Sequence, residues 1–278
     1  MSGVYDEHRA VNRNLWDERA PAHAASPDYG VQRLLDDPDW LSDVVRFDAP
    51  RLGPIAGLRG LHLQCHIGTD TVSLARLGAR MTGLDFSPAA LAIARQIAES
   101  AATDIEYVES DVYAAPEALG DNTFDLVYTG IGALVWLPDI RRWADVVAQL
   151  LCPGGRLFLR EGHPVLGAVD EQRTDAITLG YPYFEHADPL RFDASQTYVE
   201  TDVVFTNAES REWNHGVGEI ITAVLDAGLQ LTMFVEHDSV PWNALDGLMR
   251  RDDDGEWRLV EHGDLLPLSY TLQAVKPA

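Results

Sequence analysis

Gly60-Leu61-His62-Leu63-Gln64-Cys65-His66-Ile67-Gly68-Thr69-Asp70-Thr71 is the stretch on which the fold turns. It opens as a short apolar run, residues 61–65, bends through a turn holding one glycine, Gly68, and continues in the helical pattern of residues 71–77. A second strand follows at 81–85 and a second helix at 88–100. Ser87 is a good N-cap for that helix, and Pro88 then occupies the first helical position, where its missing N–H costs nothing. Strand, helix, strand, helix is a βαβα unit, the seed of a parallel sheet.

Working outward, strands are expected around 105–108, at 124–128 and, after the turn Pro153-Gly154-Gly155, at 156–161, with a helix at 140–151. Five parallel strands result. A further helix, 217–227, and two strands, 230–235 and 268–275, close the chain. Between them the rhythm breaks for about fifty residues, with a β-like run at 197–205. That is too long for an ordinary connection, so residues 165–212 read as a substrate-covering insertion, or as a flap against a neighbouring subunit. Upstream, Val11, Leu15 and Trp16 suggest a short amphipathic helix over 5–20. A loop with Pro21, Pro27 and Gly30 follows, then helical sequence at 31–47. We divide the chain into an N-terminal helical lid segment, 1–45, and a core domain, 46–278.

Composition narrows the function. With 44 acidic and 21 basic side chains the net charge is −23, and a protein that neutralises phosphates needs the opposite balance, so nucleic acid is not an expected partner. The run Asp252-Asp253-Asp254 fits a solubilising surface. Cys65 and Cys152 make neither a disulfide framework nor a Cys-x-x-Cys knuckle. Residues 1–16 hold no apolar signal core and no run approaches a membrane span, so a cytoplasmic protein without a membrane partner is expected. A homo-oligomer is compatible with all of this.

In an open parallel sheet, ligands bind beyond the carboxyl ends of the strands. Asp85 ends the second strand about 20 residues after the turn, where a carboxylate can accept hydrogen bonds from both hydroxyls of a ribose. Turn and carboxylate together point to a nucleoside-containing cofactor.

The run 60–99, with Glu109-Ser110-Asp111-Val112, Phe124-Asp125-Leu126-Val127 and Leu151-Cys152-Pro153-Gly154-Gly155 in the same order, resembles the class I S-adenosylmethionine-dependent methyltransferases. The resemblance implies an α/β, Rossmann-like doubly wound sheet, mostly parallel, with an antiparallel last strand between the fifth and sixth. It implies methyl transfer from S-adenosylmethionine to a small-molecule acceptor. Asp85 would bind the ribose, Asp111 the adenine amino group and Val112 the ring, with Phe86 stacking nearby. Gly68 would approach the methionine end, and Thr129 would lie beside the sulfonium and the acceptor. The first motif departs from the usual one: His62, Gln64 and His66 stand where an acidic residue and glycines are common. It resembles a bacterial small-molecule subset reading Leu-x-Leu-Gln-Cys-His, in which Gln64 or His66 would hydrogen-bond the methionine part.

Candidate acceptor-side residues cluster after the later strands. Glu161 and His163 end the fifth strand, His215 precedes a helix and His237 ends the penultimate strand. His163 is the first choice for a general base, with Glu161 to orient it. His215 ranks second, and His237, two strand spacings away, is placed with the substrate contacts. Trp16, His23, Tyr29 and Trp136 are expected to line the acceptor space. Cys65 reads as a small hydrophobe and His62 as a packed histidine. The scattered histidines and carboxylates do not make a metal site by spacing. Two rivals stand beside this reading. One is a catalytically silent cofactor-binding subunit, suggested by the altered motif; the other is a nicotinamide-dependent oxidoreductase, disfavoured by the lack of Gly-x-Gly-x-x-Gly.

Overall fold

A computed structural model describes residues 2–278. The helices are α1 (Ser2–Ala25), α2 (Val31–Asp36), α3 (Asp43–Leu52), α4 (Thr69–Arg76), α5 (Pro88–Ser100), α6 (Ala115–Leu119), α7 (Ile140–Leu150) and α8 (Val217–Asp226). The strands are β1 (Arg59–Leu63), β2 (Arg80–Asp85), β3 (Glu106–Glu109), β4 (Phe124–Thr129), β5 (Leu151–Gly162), β6 (Leu190–Asp193), β7 (Glu209–Glu212), β8 (Gln230–His237), β9 (Met249–Arg251), β10 (Trp257–Leu259) and β11 (Ser269–Val275).

Seven strands form one sheet in the order β3-β2-β1-β4-β5-β11-β8. β1 to β5 pair in parallel, and β11 runs antiparallel to both β5 and β8, as the resemblance implied. Alternation along β1 assigns the two faces: Leu61 and Leu63 enter a core with α7 and α8, while His62 points to the other side. α7 supplies that core with Ile140, Trp143, Ala144, Val147 and Leu150, the three-and-four spacing of an amphipathic helix. The opposite face packs Val45, Leu52 and Leu74 on Tyr128 and Phe158. Because β1 lies centrally and the order reverses beside it, the turns after β1, β2 and β4 meet at one edge.

Several elements differ from expectation. α1 extends beyond residue 20 and passes through Pro21, its last turn fixed by the packing of Ala20 and by His23, which meets His66 and Thr197. The helical sequence at 31–47 divides into α2 and α3 around Pro38, and Ser42 caps the second. The run 197–205 forms no strand; the antiparallel pair β6–β7 flanks it. The Asp252-Asp253-Asp254 run is the turn of a β9–β10 hairpin, gripped by Arg258 at 3.1 Å from Asp252 and 2.9 Å from Asp254. Among the described residues no helix is long and apolar enough to cross a membrane.

Candidate functional site

The turn after β1 holds three left-handed residues, only one of them a glycine. Gln64 has φ 57°, His66 φ 48° and Gly68 φ 78°, all in the left-handed region that side chains normally avoid. Hydrogen bonds hold it there: Cys65 N–H donates to Leu84 (3.0 Å), His66 N–H to Asp85 (2.8 Å) and the Gln64 amide to the Ala133 carbonyl (2.9 Å). Gly68 also has a packing role that the sequence did not show. A Cβ there would lie 2.5 Å from the Tyr107 hydroxyl and 2.9 Å from Ala94, so this glycine lets α4 pack against α5 and β3.

Asp85 is buried, and each carboxylate oxygen already accepts a backbone N–H, from Ser87 at 2.9 Å and from His66 at 2.8 Å. Burial pushes its pKa up to about 6 against the pull of those donors. Phe86, half-buried, follows it. At the end of β3, Asp111 accepts from Tyr113 N–H (2.9 Å) and from the Tyr5 hydroxyl (2.8 Å), with Arg9 at 3.8 Å. Val112 is buried in the core below. α1 therefore lies across this corner, adding Arg13 to Glu109 at 3.0 Å and the Ser87 hydroxyl to Asp17 at 2.6 Å.

Between these carboxylates and β4, the Gln64 carbonyl oxygen and the Thr129 hydroxyl are buried with no hydrogen-bond partner among the described residues. Buried polar atoms are normally satisfied, so these two are candidates for contact with a polar ligand. This edge suits S-adenosylmethionine: carboxylates stand at the ends of β2 and β3 for the nucleoside, and a free carbonyl and hydroxyl stand at the ends of β1 and β4 for the amino-acid end.

Next to the turn is an aromatic enclosure. Trp16 stands edge-on to His66 (5.1 Å between ring centres) and to Trp136 (5.2 Å). His23 Nδ1 meets His66 Nε2 at 3.1 Å, and its Nε2 meets the Thr197 hydroxyl at 2.8 Å. The Tyr29 and Tyr198 hydroxyls are 2.5 Å apart. Desolvation lowers the pKa of His23 to about 2 and of His66 to about 4, so both rings are neutral at physiological pH. Trp16, His23 and Tyr29 thus come together around His66, and Trp136 joins them through Trp16. Thr197 and Tyr198 were missed, because a β-like run gives no sign of which side chains meet another element.

The residues after the later strands behave differently. Glu161 does not orient His163. Its buried carboxylate accepts the backbone N–H of Gly132, of Ala133 and Leu134 (both 2.8 Å) and of Gly162 (2.9 Å), and so fixes the loop after β4. His163 accepts the Val165 N–H at Nδ1 (3.1 Å); its buried Nε2 lies 3.2 Å from Glu236 but makes no hydrogen bond among the described residues. His215, by contrast, is engaged at both nitrogens, Nε2 to the Leu137 carbonyl (2.7 Å) and Nδ1 to Glu185 (2.9 Å). His237 turns from the enclosure toward Thr271 (2.8 Å) and the edge of Phe47 (5.0 Å), and burial lowers its pKa to about 4. His62 bonds Thr71 at 2.9 Å and Cys65 is buried, both as expected of packing residues.

Residues 61–157 match a family profile described as a methyltransferase domain. A ubiquinone biosynthesis O-methyltransferase of Xanthomonas oryzae pv. oryzae is 34% identical over 158 residues, covering 55% of this chain and 58% of that protein. One from Cronobacter sakazakii is 37% identical over 112 residues, covering 40% and 44%. The chain thus spans about half the length of the curated relatives it matches. Among solved structures, a candidate S-adenosylmethionine dependent methyltransferase from Listeria monocytogenes superposes with a TM-score of 0.61 at 17% identity, covering 85% of this chain and 97% of that one. A Mesorhizobium loti S-adenosylmethionine dependent methyltransferase gives 0.54 at 22% identity, covering 87% and 100%. Residues 61–157 thus match a methyltransferase domain, and the sheet that carries them shares its fold with solved S-adenosylmethionine dependent methyltransferases.

Proposed function

We propose that this protein transfers the methyl group of S-adenosylmethionine to a small-molecule acceptor held under α1 and the 165–212 insertion. The observation that carries the reading is the pair of unsatisfied buried atoms, Gln64 Oε1 and Thr129 Oγ1, set between the carboxylates of Asp85 and Asp111 and the aromatic enclosure. When bound, the cofactor supplies a methyl group already activated by a sulfonium. Asp85 and Asp111 accept hydrogen bonds from ribose and adenine through their remaining lone pairs, and Gln64 accepts from the methionine ammonium. Trp16, Tyr29 and Trp136 exclude water, and aromatic walls favour a cationic centre. In-line displacement needs little more than this alignment.

Burial leaves the His66–His23 pair neutral and weakly basic, so the pair positions the acceptor rather than taking its proton, which leaves to solvent before α1 and the insertion close, and alignment carries the transfer. The O-methyltransferase relatives make a hydroxyl oxygen the first acceptor to test, and the aromatic walls favour one carried on a ring. Calorimetry with S-adenosylhomocysteine should show one saturable site. Gln64→Leu should weaken it roughly tenfold, the scale of one net hydrogen bond. With S-adenosylmethionine and a catechol, mass spectrometry should detect S-adenosylhomocysteine and a methylated ring. Absence of saturable binding by either cofactor form would overturn the reading.

A further inference from the structure

We propose that Glu185, His215 and Glu219 form a binding site for a divalent transition-metal cation of the zinc type, which clamps the insertion to the core. One ligand atom from each of the three side chains lies within 4.8 Å of the other two. They come from separate parts of the fold: Glu185 from the insertion, His215 from the segment before α8, and Glu219 from the first turn of α8.

The second observation is the orientation of the imidazole. The His215 side chain is 2% exposed, and its Nε2 lies 2.7 Å from the Leu137 carbonyl, which can only accept. Nε2 therefore carries a proton, and Nδ1 is the nitrogen aimed at the carboxylates, 2.9 Å from Glu185 Oε2. An imidazole locked by a backbone carbonyl on its far side is the usual arrangement around a metal-ligating histidine. With Nδ1 as a lone pair, two acceptors face each other, and a cation must stand between them. A proton can do this. So can a metal: tetrahedral ligands at about 2.1 Å from zinc are roughly 3.4 Å apart, so the His215–Glu185 pair at 2.9 Å would open slightly and the set, now within 4.8 Å, would draw in.

Charge and ligand type select the cation. Two carboxylates and a neutral imidazole carry −2, which a divalent ion neutralises. Arg141 opposes a cation here but is committed to Asp226. Imidazole nitrogen with few ligands suits zinc and disfavours magnesium and calcium, which require six or more oxygens.

The consequence is mechanical. His215 holds Leu137, at the end of the segment that carries Trp136, so a metal here joins the insertion to the back of the acceptor wall. Metal binding is read directly, so the outcome is independent of methyl transfer. Chelator-treated full-length protein is titrated with Zn²⁺ in a calorimeter, and melting is followed with and without the ion. One equivalent should bind and raise the Tm by roughly 5 °C at a hundredfold excess over Kd. Glu219→Gln and His215→Gln, shown to be folded by circular dichroism, should each weaken binding at least about tenfold. A folded wild type without saturable Zn²⁺ binding overturns the proposal. So does equal affinity in wild type and Glu219→Gln, or displacement of the zinc by equimolar Mg²⁺.

Discussion

Gln64 and His66 replace glycines in sequence yet retain the left-handed backbone that glycine would adopt. Each such residue costs on the order of 1 kcal/mol, offset here by the Asp85 and Ala133 hydrogen bonds. Asp85 is therefore an anchor of the turn as well as the proposed ribose ligand, and its position after a strand could not reveal the first of these. Asp48 was not visible at all in sequence. It is fully buried, accepts the Tyr128 hydroxyl at 2.6 Å and lies 3.9 Å from Arg160, too far to offset burial, which raises its pKa to about 7. A carboxyl raised above its unfolded value favours folding while protonated. Its contribution is complete below about pH 4 and is lost as pH rises through 7. Asp48→Asn keeps the acceptor for Tyr128 and cannot ionise, while Arg160 retains Glu256 at 2.6 Å. The variant should melt several degrees above wild type at pH 8, with the gap narrowing as pH falls below 7 and closing by about pH 4, since each pKa unit corresponds to about 1.4 kcal/mol. Parallel melting curves across that range would sink the assignment.

Among the elements, those with strong local signals were legible. Ser87-Pro88 gave α5 its boundaries, and the period of apolar residues gave α7. The insertion was not, because its structure is set by α1. Glu18 accepts the Thr206 and Asn207 N–H groups, Arg19 donates to the Ala194 and Gln196 carbonyls, and Asn12 bonds both backbone groups of Arg211, each at 2.8 Å. A run that satisfies its backbone against a helix looks, in sequence, like one that satisfies it in a sheet. The same contacts explain why Thr197 and Tyr198 reach His23 and Tyr29. Asn12→Ala should leave the buried Arg211 N–H and carbonyl unpaired, costing about 2–4 kcal/mol. Asn12→Asp, able to accept but not donate, should cost less. Hydrogen exchange should accelerate in both α1 and residues 190–212; acceleration in one without the other would show that the two do not close as a unit.

At the scale of the whole molecule, the net charge of −23 was legible in full, because composition does not depend on the fold. Its consequence for the proposed chemistry follows from the charges of the two cofactor forms. S-adenosylmethionine at neutral pH carries a sulfonium, an ammonium and a carboxylate, net +1, whereas S-adenosylhomocysteine lacks the sulfonium and is neutral. A strongly acidic protein draws the first toward its surface and is indifferent to the second, so substrate arrives faster than product returns. Such a field is long-ranged and screened by salt, the Debye length falling from roughly 20 Å at 20 mM to about 6 Å at 300 mM. In stopped flow, that increase in ionic strength should slow S-adenosylmethionine association several-fold and leave S-adenosylhomocysteine association nearly unchanged. Dissociation should change little for either, since contacts at Gln64, Asp85 and Asp111 are short-ranged. An equal salt dependence for both forms would mean that the opening of α1 limits entry and that the acidic surface has no part in steering the cofactor.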